Sequence, residues 1–268
     1  MSTVYNQFSS EYNELFIRSI QEFIATHREQ KLEADYFNTF YPSFGIKPSE
    51  KCDFLIIGQA PKGWRSGFAT GDDNIQEKLI AEAIESSNCY CGVHDHNPID
   101  WVNVYWTKSL FEEHILDKAK ADFYEKGKYF AFRSFFWNVT YKLIADYYGF
   151  DRNAWDWSKK VVWSNLYKIA PEDANPTEFQ KSTQLNIAVE LIKKEIEELQ
   201  PKFCIVLTNE SWWTPFQMKI GSEKLFINSN LTEIVSHEKY MGTQIIVTKR
   251  PFRGNGESHV KQILELIK

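Results

Sequence analysis

No stretch of this sequence approaches the roughly 20 consecutive apolar residues a membrane-spanning helix needs, and no basic-then-apolar leader opens it. A membrane-embedded chain and a secreted one are therefore set aside, and the cytoplasm is the expected compartment. Cysteine is scarce, with 4 in 268 residues, which excludes a fold built on disulfides. Glycine/serine linkers, internal repeats and low-complexity blocks are missing as well, so residues 1–268 are expected to fold as one domain and to work as a monomer. Excess positive charge is also lacking. The formal charge of −5 excludes attachment to nucleic acid by bulk charge and leaves room for a local basic groove.

What the chain does have is a buried-strand signature that stops abruptly. In residues 52–72, CDFLIIGQAPKGWRSGFATGD, the apolar run Phe54-Leu55-Ile56-Ile57 has the length and continuity of a strand covered on both faces. Gly58 permits close backbone approach, Pro61 stiffens the exit, and Gly63, Gly67 and Gly71 keep the loop tight. A loop of this kind at the carboxyl end of a central strand is a natural ligand site. Asp72 and Asp73 precede the helical spacing of Ile75, Leu79, Ile80, Ala83 and Ile84, where either caps a helix or serves as a functional carboxylate.

The same strand-then-polar-turn pattern recurs. Val161-Val162-Trp163 ends at Ser164-Asn165, and an amide just beyond a buried strand can read a planar ligand because it carries a donor and an acceptor together. Residues 203–207 form a further strand, following an amphipathic helix over 185–199 that Pro201 stops. Residues 244–247 form another, opening into Lys249-Arg250-Pro251-Phe252-Arg253 before a final helix over 257–268. Three strand ends, at Gly58, Asn165 and Thr248, are expected at one edge of the sheet. Lys249, Arg250 and Arg253, with Lys62 and Arg65 on the facing loop, supply a basic cluster suited to phosphate or to a developing anion.

An amphipathic helix is expected over 7–28 and an aromatic loop over 36–48; residues 86–127 read as an insertion. Within the insertion, Cys89, Cys91, His94 and His96 crowd soft ligands into eight residues, but their spacing matches no standard zinc finger or ribbon, so no metal is assigned. Residues 129–148 form a heavily apolar helix that must lie against the sheet.

Taken together these motifs resemble the uracil-DNA glycosylase superfamily, most closely its thermophilic iron–sulfur branches. Gly58-Gln59-Ala60-Pro61 resembles the G-[EL]-A-P motif of that branch, and Thr70-Gly71-Asp72 resembles the T-G-D of one sub-branch. Asn165 through Pro176 is similar to N-x-V-R-C-A-P-P-x-N-x-P, and Arg250-Pro251-Phe252 aligns with the final H-P-S loop. The resemblance implies a three-layer α/β/α fold around a four-stranded parallel sheet. It also implies single-stranded DNA, or DNA with a flipped base, as partner, and hydrolysis of the N-glycosidic bond of uracil or another modified base. In this picture Asp72 activates water, Asn165 reads the base and Arg250 stands where the relatives have histidine. Gly58, Gln59, Ala60 and Pro61 lie under the base; Phe68, one residue from the family's stacking position, supplies the aromatic face. Ile169 occupies a position of a cluster cysteine, so neither an iron–sulfur cluster nor any other cofactor is expected. The alternative is a relative that binds nucleic acid or nucleotide without cleaving it.

Overall fold

The computed structural model describes residues 8–30, 36–47, 49–64, 66–69, 76–88, 98–99, 101–104, 131–152, 154, 156–252, 254 and 256–268. In chain order the first elements are α1 (Ser10–Glu29), β1 (Tyr36–Thr39), β2 (Ser43–Phe44), β3 (Phe54–Gly58), β4 (Gly67–Ala69), α2 (Gln76–Asn88), α3 (Trp101–Val104) and α4 (Phe135–Tyr148). There follow β5 (Val161–Asn165), β6 (Ile169–Pro171), α5 (Glu178–Leu199), β7 (Phe203–Val206), α6 (Glu210–Ile220), β8 (Glu223–Lys224), β9 (Ile234–Tyr240), β10 (Thr243–Thr248) and α7 (Gly256–Ile267).

The main sheet has the order β2-β5-β3-β7-β10-β9-β8. Its middle is parallel: β3 pairs with β5 and β7, and β7 pairs with β10. These are the uninterrupted apolar runs of the sequence, and every residue of β3, β5 and β7 is buried, as strands covered on both faces must be. The alternation of strand side chains then sorts the core into two halves. Leu55, Ile57, Val162, Cys204 and Val206 pack with α1, α5 and α6, whereas Phe54, Ile56, Trp163, Phe203 and Ile205 pack with α4 and α7. The result is a mixed α/β fold with helices on both faces of the sheet.

The sheet has seven strands where four were expected, because antiparallel strands extend the parallel β5-β3-β7-β10 centre at both edges. On one side β2 pairs with β5; on the other, β9 joins β10 through Met241-Gly242, both at positive φ, as a tight hairpin requires. A second sheet, β4-β1-β6, is antiparallel and occupies part of the stretch read as an aromatic loop. Helix α5 starts at Glu178 rather than near residue 185, held by a capping box in which Thr177 and Gln180 bond each other's backbone. Of the expected insertion 86–127 the described residues are 86–88, 98–99 and 101–104, so most of it lies outside them. No helix among the described residues is long and apolar enough to cross a membrane.

Candidate functional site

A cavity of about 560 Å³ opens at the carboxyl ends of the parallel strands. Its floor comes from Gly58 at the end of β3 with Gln59 and Ala60 just beyond, Asn165 at the end of β5, Leu207 after β7, and Arg250 and Pro251 after β10. Chain segments far apart in sequence meet here because parallel strands send all their carboxyl ends the same way. Aromatic rings make up much of the remaining lining: Trp163 on β5, two residues before Asn165, Trp64 beyond the floor turn, Trp101 on α3, and Phe135, Phe136 and Trp137 at the start of α4.

Asn165 is placed by three constraints. It pairs in register with Gly58, whose missing side chain leaves room for the amide: a Cβ there would stand 2.5 Å from Asn165 Oδ1 and 3.5 Å from Phe136 Cε2. The loop above is pinned by Leu166 N donating to Gly58 O (2.9 Å) and Tyr167 N to Gln59 O (3.1 Å). From the far face of the sheet, Lys168 Nζ donates to Asn165 O at 2.7 Å and Ser164 Oγ at 2.6 Å, and pairs with Glu195 Oε1 at 2.6 Å. Tyr12 donates its hydroxyl to the same Glu195 oxygen at 2.8 Å. Burial pushes the Lys168 ammonium pKa down and Glu195 pulls it back up; burial first, then Glu195, drives the Tyr12 phenol well above its ordinary range. This interior network ties α1 and α5 to the strand end that carries the amide.

The amide itself is unfinished. Asn165 is only 3% exposed, and its Nδ2 has no hydrogen-bond partner among the described residues. The indole Nε1 of Trp163, a residue 9% exposed and two positions earlier on the same strand face, is in the same condition. A buried donor without a partner costs about 1–3 kcal/mol, a cost relieved when a ligand acceptor reaches it.

The charge around the cavity is one-sided. Lys62, Arg133 and Arg250 line it, and no described lining residue is acidic, although the whole chain carries −5. Arg133 and Ser134 also mark the start of α4, where Ser134 Oγ accepts from Trp137 N at 3.4 Å and the helix dipole adds partial positive charge. An anionic or oxygen-rich planar molecule fits this combination of donors, cations and aromatic faces.

Gly58, Gln59, Ala60, Lys62, Asn165 and Arg250 thus meet at one cavity. Pro61 is buried behind the loop, where its carbonyl accepts from Asn38 Nδ2 at 3.3 Å and from Trp64 N at 3.1 Å. Lys249 is exposed beside the site without lining it; its carbonyl lies 3.0 Å from His259 Nε2. Phe68 requires correction as the stacking aromatic. It is 3% exposed on β4, with its ring 6.0 Å from Phe37 and 6.5 Å from Phe23, inside the core on the α1 side of the sheet. Its place beside Gly58 is taken by Phe136. Asp72, Arg65, Arg253 and the Cys89/Cys91/His94/His96 loop lie outside the described residues.

Sequence reading missed Trp101, Arg133, Phe136 and Trp163 as site residues. The signal for Trp163 was available, since it shares a strand face with Asn165; the others sit in segments whose packing side the pattern alone left open. No protein-family model matches the chain, and no curated protein matches it.

Proposed function

We propose that the cavity receives a nucleobase extruded from DNA and that the chain hydrolyses its N-glycosidic bond, as a divergent relative of the uracil-DNA glycosylases. The observation that carries this reading is the buried, unpartnered amide of Asn165 at the carboxyl end of β5, inside a cavity walled by aromatic rings. Support also comes from the parallel order β5-β3-β7-β10 and from the Gly58-Gln59-Ala60-Pro61 turn, both suited to a glycosylase-like sheet.

The chemistry asked of these residues is modest in number. Water adds its oxygen to the sugar carbon as the carbon–nitrogen bond breaks, and the bond's electron pair leaves on the base. Asp72 takes the proton of the attacking water and steadies positive charge on the sugar. Asn165 donates to one base oxygen and accepts from the ring N–H, and the Arg250 guanidinium offsets the charge of the departing base anion, which then takes a proton from solvent.

A second reading, binding without cleavage, is favoured by the lining itself: three cations and no carboxylate among the described lining residues. One experiment separates the two. Single-turnover base release from a uracil-containing single strand is measured for wild type and Asp72→Asn, alongside the affinity of each. Release that falls at least about tenfold in the variant at unchanged affinity supports the hydrolase. Tight binding with no release from wild type supports the binding protein, and neither binding nor release rejects both.

A further inference from the structure

We infer that Trp163 is a specificity-determining residue of this site: its indole N–H is a second donor that reads a base oxygen beside the one read by Asn165. The inference rests on the cavity being a base site and names the class of base. Asn165 brings a donor and an acceptor, and Trp163 adds a donor from the same strand face two residues away. Donor, acceptor, donor is the complement of an imide edge, in which a ring N–H lies between two carbonyl oxygens. Uracil carries that edge. Cytosine replaces one of its oxygens with an amino group, which would set donor against donor.

Trp163 is not needed as a donor for the fold. Its ring packs against Phe40 at 4.4 Å, Trp137 at 4.9 Å and Trp64 at 5.2 Å between centroids, contacts that a phenyl or another bicyclic ring can largely keep. Those ring contacts supply the N–H with no oxygen or nitrogen acceptor, and an unsatisfied donor on a residue that lines the cavity is kept at a cost that a ligand oxygen would relieve. The position also fits the site's charge. Arg250 is exposed and able to hold a departing anion, whereas Trp163 is neutral and buried, suited to telling one uncharged base from another.

The test uses the full chain and two strands of deoxyadenosine, one carrying a single 2′-fluoro-2′-deoxyuridine and the other 2′-fluoro-2′-deoxycytidine, both resistant to glycosidic cleavage. Binding is read by fluorescence anisotropy. Wild type is expected to prefer the uracil strand. Trp163→Phe is expected to weaken uracil binding about tenfold or more and cytosine binding little, so that the preference collapses. A second protein carrying benzothienylalanine at position 163 keeps the bicyclic ring without the N–H; it must reproduce the loss, and it stands in if the phenylalanine variant fails to fold. A uracil preference that survives in the isostere overturns the role of Trp163 and leaves the base site standing. Equal binding of the two strands by wild type overturns this inference and leaves the base site standing, whereas binding of neither strand overturns the base site as well.

Discussion

Replacing Gly58 with alanine is the sharpest probe of the site, because it separates the geometry of the amide from the stability of the fold. The new Cβ would lie 2.5 Å from Asn165 Oδ1, and ordinary contact starts at 3.4 Å, so the amide oxygen has to retreat by about 0.9 Å. What it meets first is the tip of a side chain and not backbone, and Phe136 Cε2, at 3.5 Å, is already at contact distance. Gly58 is not in the left-handed region, so alanine suits the backbone and gains about 0.4–1 kcal/mol by restricting the unfolded chain. Overpacking at the amide costs about 1–3 kcal/mol. The two offset each other in part, and the melting temperature is expected to stay within about 4 °C of wild type. Recognition has no such compensation: a buried recognition group pushed out of hydrogen-bonding position costs about 1–3 kcal/mol, roughly 5- to 150-fold in affinity. Thermal unfolding and anisotropy titration with the uracil strand read the two quantities separately. A Gly58→Ala protein that melts and binds like wild type would refute the placement of the amide; one that is unfolded at room temperature would refute the claim that the side chain yields.

Three other outcomes are expected. Lys168→Met leaves Glu195 buried without its cation and should cost about 3–5 kcal/mol in urea unfolding, most of it recovered in Lys168→Met/Glu195→Leu; an equally unstable double variant would contradict the pairing. Lys62→Ala should lower the salt slope of single-strand binding by about 0.7, read from affinities over a salt series, and an unchanged slope would remove Lys62 from the phosphate path. Burial, helped by Asp53, pushes the Cys52 thiol up from an ordinary 9.0 to about 12, and burial likewise raises Cys204. A raised folded-state pKa gives stability that is full below pH 9 and lost as pH climbs toward 12, so the urea midpoint should fall over that window. Peptide mapping after alkylation at about pH 8 should find both thiols protected in the native protein and modified in urea, and native labelling of either would count against their burial.

The parallel centre of the fold was legible because burial on both faces leaves a plain mark: Phe54–Ile57, Val161–Trp163, Phe203–Leu207 and Gln244–Val247 are runs with little polar interruption. Their shared direction followed from the helix-strand succession, and the meeting of Gly58, Asn165 and Arg250 follows from that direction. Strand β9 was not legible, since IVSHEKY mixes buried, half-buried and exposed positions one strand in from the sheet edge and hides Glu238 among hydrogen-bond donors from Trp213, Gln217, Ser222 and Ser236. Phe68 was assigned the aromatic face because it stands one residue from the stacking position of the family that the motifs resemble, while pairing with β1 turns its ring into the core. Nor does spacing reveal that Lys168 and Glu195, two charges in otherwise ordinary positions, neutralise each other beneath the site.

The small sheet behind the cavity has a consequence in entropy. Asn38, on β1, donates from Nδ2 to the carbonyls of Pro61 and Glu172 at 3.3 and 3.2 Å, and Gly63 N donates to Glu172 O at 2.8 Å, so the loop after β3 and the turn after β6 are stitched into one piece. A ligand settling on this floor meets loops whose ordering was completed during folding. The freedom still to be lost belongs to the ligand and to the exposed lining side chains Lys62, Arg133 and Arg250, which makes those cations the place where changes in flexibility will register as changes in affinity.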